Sequence, residues 1–582
     1  MSLQADEGAK VYFGDLHVHT SYSFDAYIFG TRAGPDDAYR FAKGEPIRHP
    51  GGFEMRIDRP LDFYAVSDHA FFLGILNAAE DPEHPLHRHR MARKMRNPAS
   101  NRKRQTSAFA PYYIYLRLHN RPQDSRRAWQ RIIEAANRHY EPGEFTTFIA
   151  YEYSANYSIN GGNLHRNVIF RGAAAPPAPF SRIDSMDPEA LWAWMDEQRA
   201  KGFDSLAIPH NANASNGKMF ALETRKGEEF GADYVAARTR NEPLAEIVQV
   251  KGTSETHPLL APEDEWADFE IYAFQVGNRR RSRLAGSYVR EAWLNGLGVG
   301  ERIGANPFAF GVIGSSDTHN AAENFDESSY FGSRAYLNDS PTERGSVAAT
   351  SPDRRAKKQS ARELLTSSAG IAAVWATENT REALFDALRR KEAYGTSGSR
   401  IRLRFSAGYD LGEPDPGSED LMGRRSGSVP MGGTLPAQDR SPGFLVWAVQ
   451  DPMRGRLERI QIVKGWLDAD GSAHSSIHDV ACAPRLTLDP ATARCRGEPA
   501  RVDPATCAVD GSGGAAELSV TWRDPTYDGE RPSFYYVRVL EDHSCRWSTW
   551  DAIRHGSEPP ASVPRLIQER AWSSPIWISP SA

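Results

Sequence analysis

The stretch GDLHVHT, residues 14–20, closes a strand-like run at 11–19 and carries two histidines, His17 and His19, separated by one residue. In a strand, residues two apart face the same side, so both imidazoles can converge on one point. Alone, such a pair means little. Further along, other apolar runs end in the same vocabulary. The run 61–67 ends in Asp68 and His69, 145–151 in Glu152, and 205–208 in Pro209-His210-Asn211. His165 stands just before the apolar run 167–170, and 309–314 leads into SSDTH, where Asp317 and His319 repeat the two-residue spacing. Asp25 follows His19 by six residues. Ligand-type residues at the C-terminal ends of successive strands are where α/β barrels build active sites. Imidazole together with carboxylate suits Zn, Mn or Fe better than Ca or Mg alone.

Helical patterns at 128–139, 188–201, 288–297 and 381–391 lie between these runs, with a further strand-like run at 246–250. The second helix opens with Asp187 as N-cap and Pro188 in the first turn, and it stops before Gly202. Alternation over the first 400 residues predicts an α/β fold built on a parallel barrel or wound sheet. Two stretches interrupt it: a basic insert at about 80–127, centred on 84–104, and a Ser/Pro/Arg/Lys-rich loop at about 339–360. From about 401 onward, short alternating runs (444–449, 459–463, 517–522, 534–540) between Gly/Pro/Asp turns predict a β-rich, sandwich-like domain over 401–582. The late apolar run WSSPIWI, 572–578, is a candidate to return to the first domain, 10–400.

The 582 residues, 40% apolar and 25% charged, exclude a disordered, collagenous or coiled-coil chain. No apolar run approaches the ~20 residues of a spanning helix. A net charge of −5 gives no global basic field for nucleic acid, leaving 84–104 as the one local patch. All four cysteines, Cys482, Cys495, Cys507 and Cys545, fall in the last fifth without a CxxC pair. Two disulfides in an oxidising compartment are the expectation, with all three pairings open; free thiols in a cytosolic chain are the competing reading. Gln4-Ala5-Asp6-Glu7 reads as the start of a mature chain from which a signal segment has been removed, hence a periplasmic or secreted protein.

DLHVHTSYSFD, SDH, a Glu followed thirteen residues later by His, a strand-end His and SSDTH together resemble the metal motifs of the polymerase-and-histidinol-phosphatase (PHP) superfamily. The likeness is closest to a branch of large bacterial proteins filed as a domain of unknown function. Those proteins share FGDLHVHTSYSFDAY, KGTSE (251–255), REALFDALRRKEAYGTSGSRIR (381–402) and YYVRVLEDHSCRWSTWDA (535–552). This resemblance implies a distorted seven-stranded (β/α) barrel holding two or three divalent metal ions. It implies His17, His19 and Asp317 on one metal, Glu152 bridging two, and His69, Asp25 and His165 on the second, with His210 and His319 completing the set.

Such a centre points to a hydrolase, with a phosphate ester as the first expectation and a carboxylic ester, lactone or amide as the alternative. A third reading makes the chain a glycan- or polymer-binding protein whose barrel activity is secondary. For an anionic small substrate, Arg166, Lys251 and Lys218 are the candidate cations. Glu255 is a candidate proton donor or a carboxylate supporting the ligands.

Overall fold

The computed structural model describes residues 8–97, 109–158, 161–276, 280–348, 361–412, 427–510 and 513–580. Residues 98–104 of the basic stretch and 349–360 of the expected loop lie outside these.

Strand β1 (Lys10–Val18) sits in the middle of a 13-stranded sheet. On one side it pairs in parallel with β2 (Phe63–Val66), which pairs in parallel with β3 (Thr146–Ser158). The chain then turns back as β4 (Gly161–Phe170), antiparallel to β3, and β4 pairs with β5 (Ser205–Pro209). Beside β5 lies β6 (Leu244–Gln249), joined in parallel to β7 (Gly311–Gly314) as a separate small sheet. On its other side β1 pairs with β8 (Ile371–Ala376), and β8 with β9 (Ala393–Thr396), both antiparallel. Helices α1 (Pro122–Arg138), α2 (Pro188–Ala200), α3 (Val289–Ile303) and α4 (Arg381–Arg390) lie between the strands in sequence.

The α/β expectation is met, with a mixed rather than parallel sheet. Among the described residues no backbone ladder joins β5 to β6 or β7 to β8. What unites these eight strands is a single apolar cluster. It gathers Leu16, Phe63 and Ala65, Phe148 and Ala150, Ile169, Leu206 and Ile208, Leu244, Ile313, and Ala372 and Val374, capped by Leu384, Phe385 and Leu388 of α4. Side chains alternate along a strand, so the residue two beyond the last apolar one faces the same space. Those residues are His69 (through Ser67), Glu152, His210, Glu246 and Asp317 (through Ser315). On β4, which runs the other way, His165 precedes Ile169 by four. One face is thus apolar at one end and loaded with ligand-type groups at the other.

Beyond residue 400 the chain is β-rich, as expected, and its strands divide between two sheets. A four-stranded sheet contains β10 (Arg402–Gly408), β12 (Gly443–Val449) and β15 (Glu517–Arg523). The other long strands, β13 (Leu457–Leu467), β14 (Ala473–Cys482) and β16 (Ser533–Glu541), belong to the large sheet, joined to it through β16. Strand β17 (Arg570–Ser573) inserts between β9 and β16. Finally β18 (Ile576–Ser579) pairs with β16 and with β11 (Thr434–Pro436). The late apolar run therefore pairs with β9 of the first 400 residues, in the same sheet as β1. The disulfides are Cys482–Cys495 and Cys507–Cys545. Among the described residues no helix is long and apolar enough to cross a membrane.

Candidate metal centre

His17 and His19 are fully buried at the end of β1, where a register shift against β2 between Asp15 and Val18 marks an irregularity in the strand. The SSDTH segment is stapled to this end: the Asp317 amide donates to the His17 carbonyl (2.8 Å) and the His19 amide to the Thr318 carbonyl (2.8 Å). Asp317 itself holds a left-handed backbone, φ 58°, and so does Asn211 beside His210, φ 53°. Such conformations cost a non-glycine residue of order 1–3 kcal/mol and gather at functional sites.

Four side-chain atoms meet here. His17 Nε2 lies 3.2 Å from His19 Nε2, 3.4 Å from Glu152 Oε2 and 3.4 Å from Asp317 Oδ1. His19 Nε2 lies 3.1 Å from Glu152 Oε2 and 3.4 Å from Asp317 Oδ1. The Glu152 and Asp317 oxygens thus each close a triangle of about 3.3 Å edges on the His17–His19 pair.

The other oxygen of Glu152 looks the opposite way, 2.7 Å from His165 Nδ1 and 3.2 Å from His69 Nδ1. Asp25 Oδ2 lies 3.2 Å from His69 Nε2 and 3.3 Å from His319 Nε2. His210 faces the His17 ring at 4.0 Å between centroids. Neither of its buried nitrogens makes a hydrogen bond, and Nε2 stands 3.8 Å from Glu152 Oε1, beyond hydrogen-bond reach. Buried polar atoms are ordinarily satisfied, so an orphaned imidazole aimed at a carboxylate fits a group held between them. Three sets of ligand atoms are each tight enough for a cation: His17/His19/Asp317, His19/His69/His319 and His17/Glu152/His210. All nine expected ligands are thus brought together.

Ligands must be deprotonated, and the three carboxylates and two of the histidines meet that condition. Burial would raise Glu152, Asp25 and Asp317, but the neighbouring histidines, and Lys251 at Asp317, hold all three well below the usual carboxylate range. Burial pushes His165 and His319 down to about 4. His19 and His69 go the other way: burial opposes their charge, yet Asp317 and Glu152 push His19 up to about 9, and Glu152 and Asp25 hold His69 well above the usual imidazole range.

The structure also shows groups that the strand-end pattern misses. Glu246 Oε2 lies 3.0 Å from His17 Nδ1, Ser23 Oγ is 2.9 Å from His19 Nδ1, and Ser154 Oγ is 2.6 Å from His69 Nδ1. Partners of this kind orient imidazole ligands. The signal for Glu246 was a carboxylate inside the otherwise apolar run LAEIV. Gln249 (2.8 Å) and Asn211 (3.3 Å) both donate to Asp317 Oδ2, which also takes the Lys251 ammonium. Asp68 is not a ligand, for its oxygens accept from the amides and hydroxyls of Thr20 and Ser23.

The remaining expected residues divide. Lys251 reaches the centre. Arg166, next to His165 on β4, faces the opposite side and is buried against Glu242 (2.8 Å), which Trp192 also binds. Glu255 is enclosed by Arg290, Arg538, Tyr536 and Trp572, apart from the histidines. Lys218 lies over the Tyr157 ring at 4.3 Å and 3.6 Å from Glu223.

A family model described as "Protein of unknown function (DUF3604)" matches residues 6–580. Among solved structures, the chain is similar to a two-domain protein from Bacteroides vulgatus containing a predicted PHP-like metal-dependent phosphoesterase. It is 10% identical over 91% of this chain and 92% of that one, with a TM-score of 0.30. No curated protein matches.

Proposed function

This chain belongs to the family described as "Protein of unknown function (DUF3604)", and from its own residues we propose a multinuclear metal-dependent hydrolase acting on a phosphate ester. The observation that supports this most is the convergence of Glu152 Oε2 and Asp317 Oδ1 on the His17–His19 pair, with the second oxygen of Glu152 turned to His69 and His165. On this reading His17, His19, Glu152 and Asp317 hold one divalent ion, Asp25, His69 and His319 a second, and His165 and His210 a third shared with Glu152. Zn, Mn and Fe suit this donor set. When bound, such ions lower the pKa of water toward neutrality and neutralise charge on the substrate's oxygens.

The protein's own groups do the rest. Glu152 ties the subsites to one strand, and Glu246, Ser23 and Ser154 fix the ring orientations. Lys251 balances the charge of Asp317 and offers its ammonium to a non-transferring oxygen of an anionic substrate. His19 and His69 must lose their protons for the site to be filled, so metal affinity rises with pH. In the same reading β1–β8 form a distorted barrel over 10–400, with 401–582 as an attached β-rich domain, and the two disulfides favour a periplasmic or secreted location.

Elemental analysis and a substrate panel test this. Metal-replete protein should carry two or three ions per chain and hydrolyse phosphomonoesters or phosphodiesters with Mn, Zn or Fe. Glu152→Gln should lower both occupancy and rate, the rate by about 10²-fold or more. Fewer than two ions per chain, or hydrolysis indifferent to Glu152→Gln, would refute the centre. Activity confined to carboxylic esters, lactones or amides would leave the centre standing and replace the substrate.

A further inference from the structure

The metal centre is closed on the side of His17 and His19, whose side chains are fully buried. It is most open at Asp25 and His165, whose side chains are 16% and 11% exposed. Aromatic rings stand beside His69, which Asp25 faces. The Phe71 ring centre lies 5.5 Å from that of His69 and 5.0 Å from that of Phe24, itself 5.8 Å from His69. Against Phe71 sits the guanidinium of Arg182, its carbon 5.2 Å from the Phe71 ring centre and 5.5 Å from that of Tyr113. Arg182 is thereby kept within about 11 Å of the His69 ring.

Strand β3 shows which face this is. Side chains two apart on a strand share a side, so Glu152, Ser154 and Asn156 form one row. Glu152 turns an oxygen to His69 and His165, and Ser154 Oγ is 2.6 Å from His69 Nδ1. The Asn156 amide, with its oxygen turned to accept, lies 3.3 Å from Arg182 Nη1. Arg182 thus stands on the face that carries the ligands, one step of about 7 Å beyond Ser154 along the strand.

Its charge is unbalanced. Arg182 is half-buried, and its other polar contact is a long one from Nη2 to Met186 Sδ (3.5 Å). Among the described residues no carboxylate pairs with it, and its remaining N–H groups are open to solvent. Burial, with Arg117 of the nearby helix Phe109–Leu118 adding a second positive charge, presses its pKa below the ordinary arginine value. Aromatic faces attract a guanidinium without neutralising it. By contrast Arg166 is held by Glu242 and Lys251 by Asp317. A free planar fork of N–H groups beside a hydrolytic centre matches a phosphate or carboxylate.

We propose that Arg182 is a specificity residue of the hydrolase, holding a second anionic group in the body of the substrate while its phosphate ester lies at the metals; this rests on the phosphate-ester reading above. Isothermal titration calorimetry of the metal-loaded full chain tests it without turnover, with metal content measured on each sample. Propylphosphonate is the single-headed probe, and a series of alkane diphosphonates of increasing chain length supplies the second anion. At least one diphosphonate should bind about tenfold more tightly than propylphosphonate. Arg182→Gln should erase that advantage, and so should Arg182→Met, whose unbranched stem still covers Phe71 and guards against a folding defect in the first variant. Diphosphonates no tighter than propylphosphonate, or an advantage that survives either substitution, would overturn the proposal and leave the phosphate-ester reading standing. Failure of propylphosphonate to bind the metal-loaded protein would overturn that reading, and this proposal with it.

Discussion

Glu541 is a carboxylate that the fold keeps protonated. It lies on β16, 2% exposed, with its Oε1 accepting from the Ser399 hydroxyl. Burial, with Asp451 nearby, pushes its pKa from the ordinary 4.5 up to about 8. A folded-state value above the unfolded one gives stabilisation that is complete below pH 4.5 and lost as pH rises through 8. Glu541→Gln cannot ionise. Its urea midpoint should therefore gain on the wild type between about pH 6 and pH 9, by more than about 1 kcal/mol; parallel pH profiles would contradict the assignment. At this scale the clustering of His17, His19, Glu152 and Asp317 with the other strand-end residues was legible because one motif recurs at strand ends, which no single histidine could show. Arg166 and Glu255 were not. Adjacency to His165 in a strand puts Arg166 on the other face, and the partners that enclose Glu255 include Arg290, Tyr536, Arg538 and Trp572, 35 to 317 residues away.

At the scale of elements, the centre depends on how closely β1 lies against β2. A Cβ at Gly14 would come within 2.2 Å of the Phe63 carbonyl and 2.3 Å of its ring. Gly14→Ala must push these strands apart just before His17. We expect a loss of about 3 kcal/mol or more together with weaker metal binding, read by chemical denaturation and metal titration of one sample. Unchanged stability would mean that the β1–β2 pairing tolerates displacement. Strand existence was legible from apolar runs and strand–helix alternation. Strand direction was not, because the β3–β4 hairpin places an antiparallel pair inside what alternation alone reads as parallel.

The whole molecule shares one sheet across residue 400. Strand β9 (Ala393–Thr396) needs β17 (Arg570–Ser573) as its second neighbour, and Arg538 of β16 bonds Glu255 and Asp264. A chain ended at 400 exposes the β9 edge and leaves Glu255 buried without Arg538, Tyr536 and Trp572. It should be insoluble or lack native near-UV circular dichroism; a soluble 1–400 fragment with native near-UV signal and metal content would show two autonomous units. Composition and periodicity reveal where the β-rich part begins but not that its strands complete an earlier sheet, since the partners lie some 180 residues apart. The run 572–578 hinted at it only by its apolarity.

That shared sheet also sets an order in time. The strand carrying His17 is made first, but the sheet around it closes only after residue 573 is synthesised, roughly half a minute to two minutes later at 5–20 residues per second. Pairings this distant in sequence form slowly. All four cysteines, joined as Cys482–Cys495 and Cys507–Cys545, precede the strand that closes the sheet, so both crosslinks can form while it is still open.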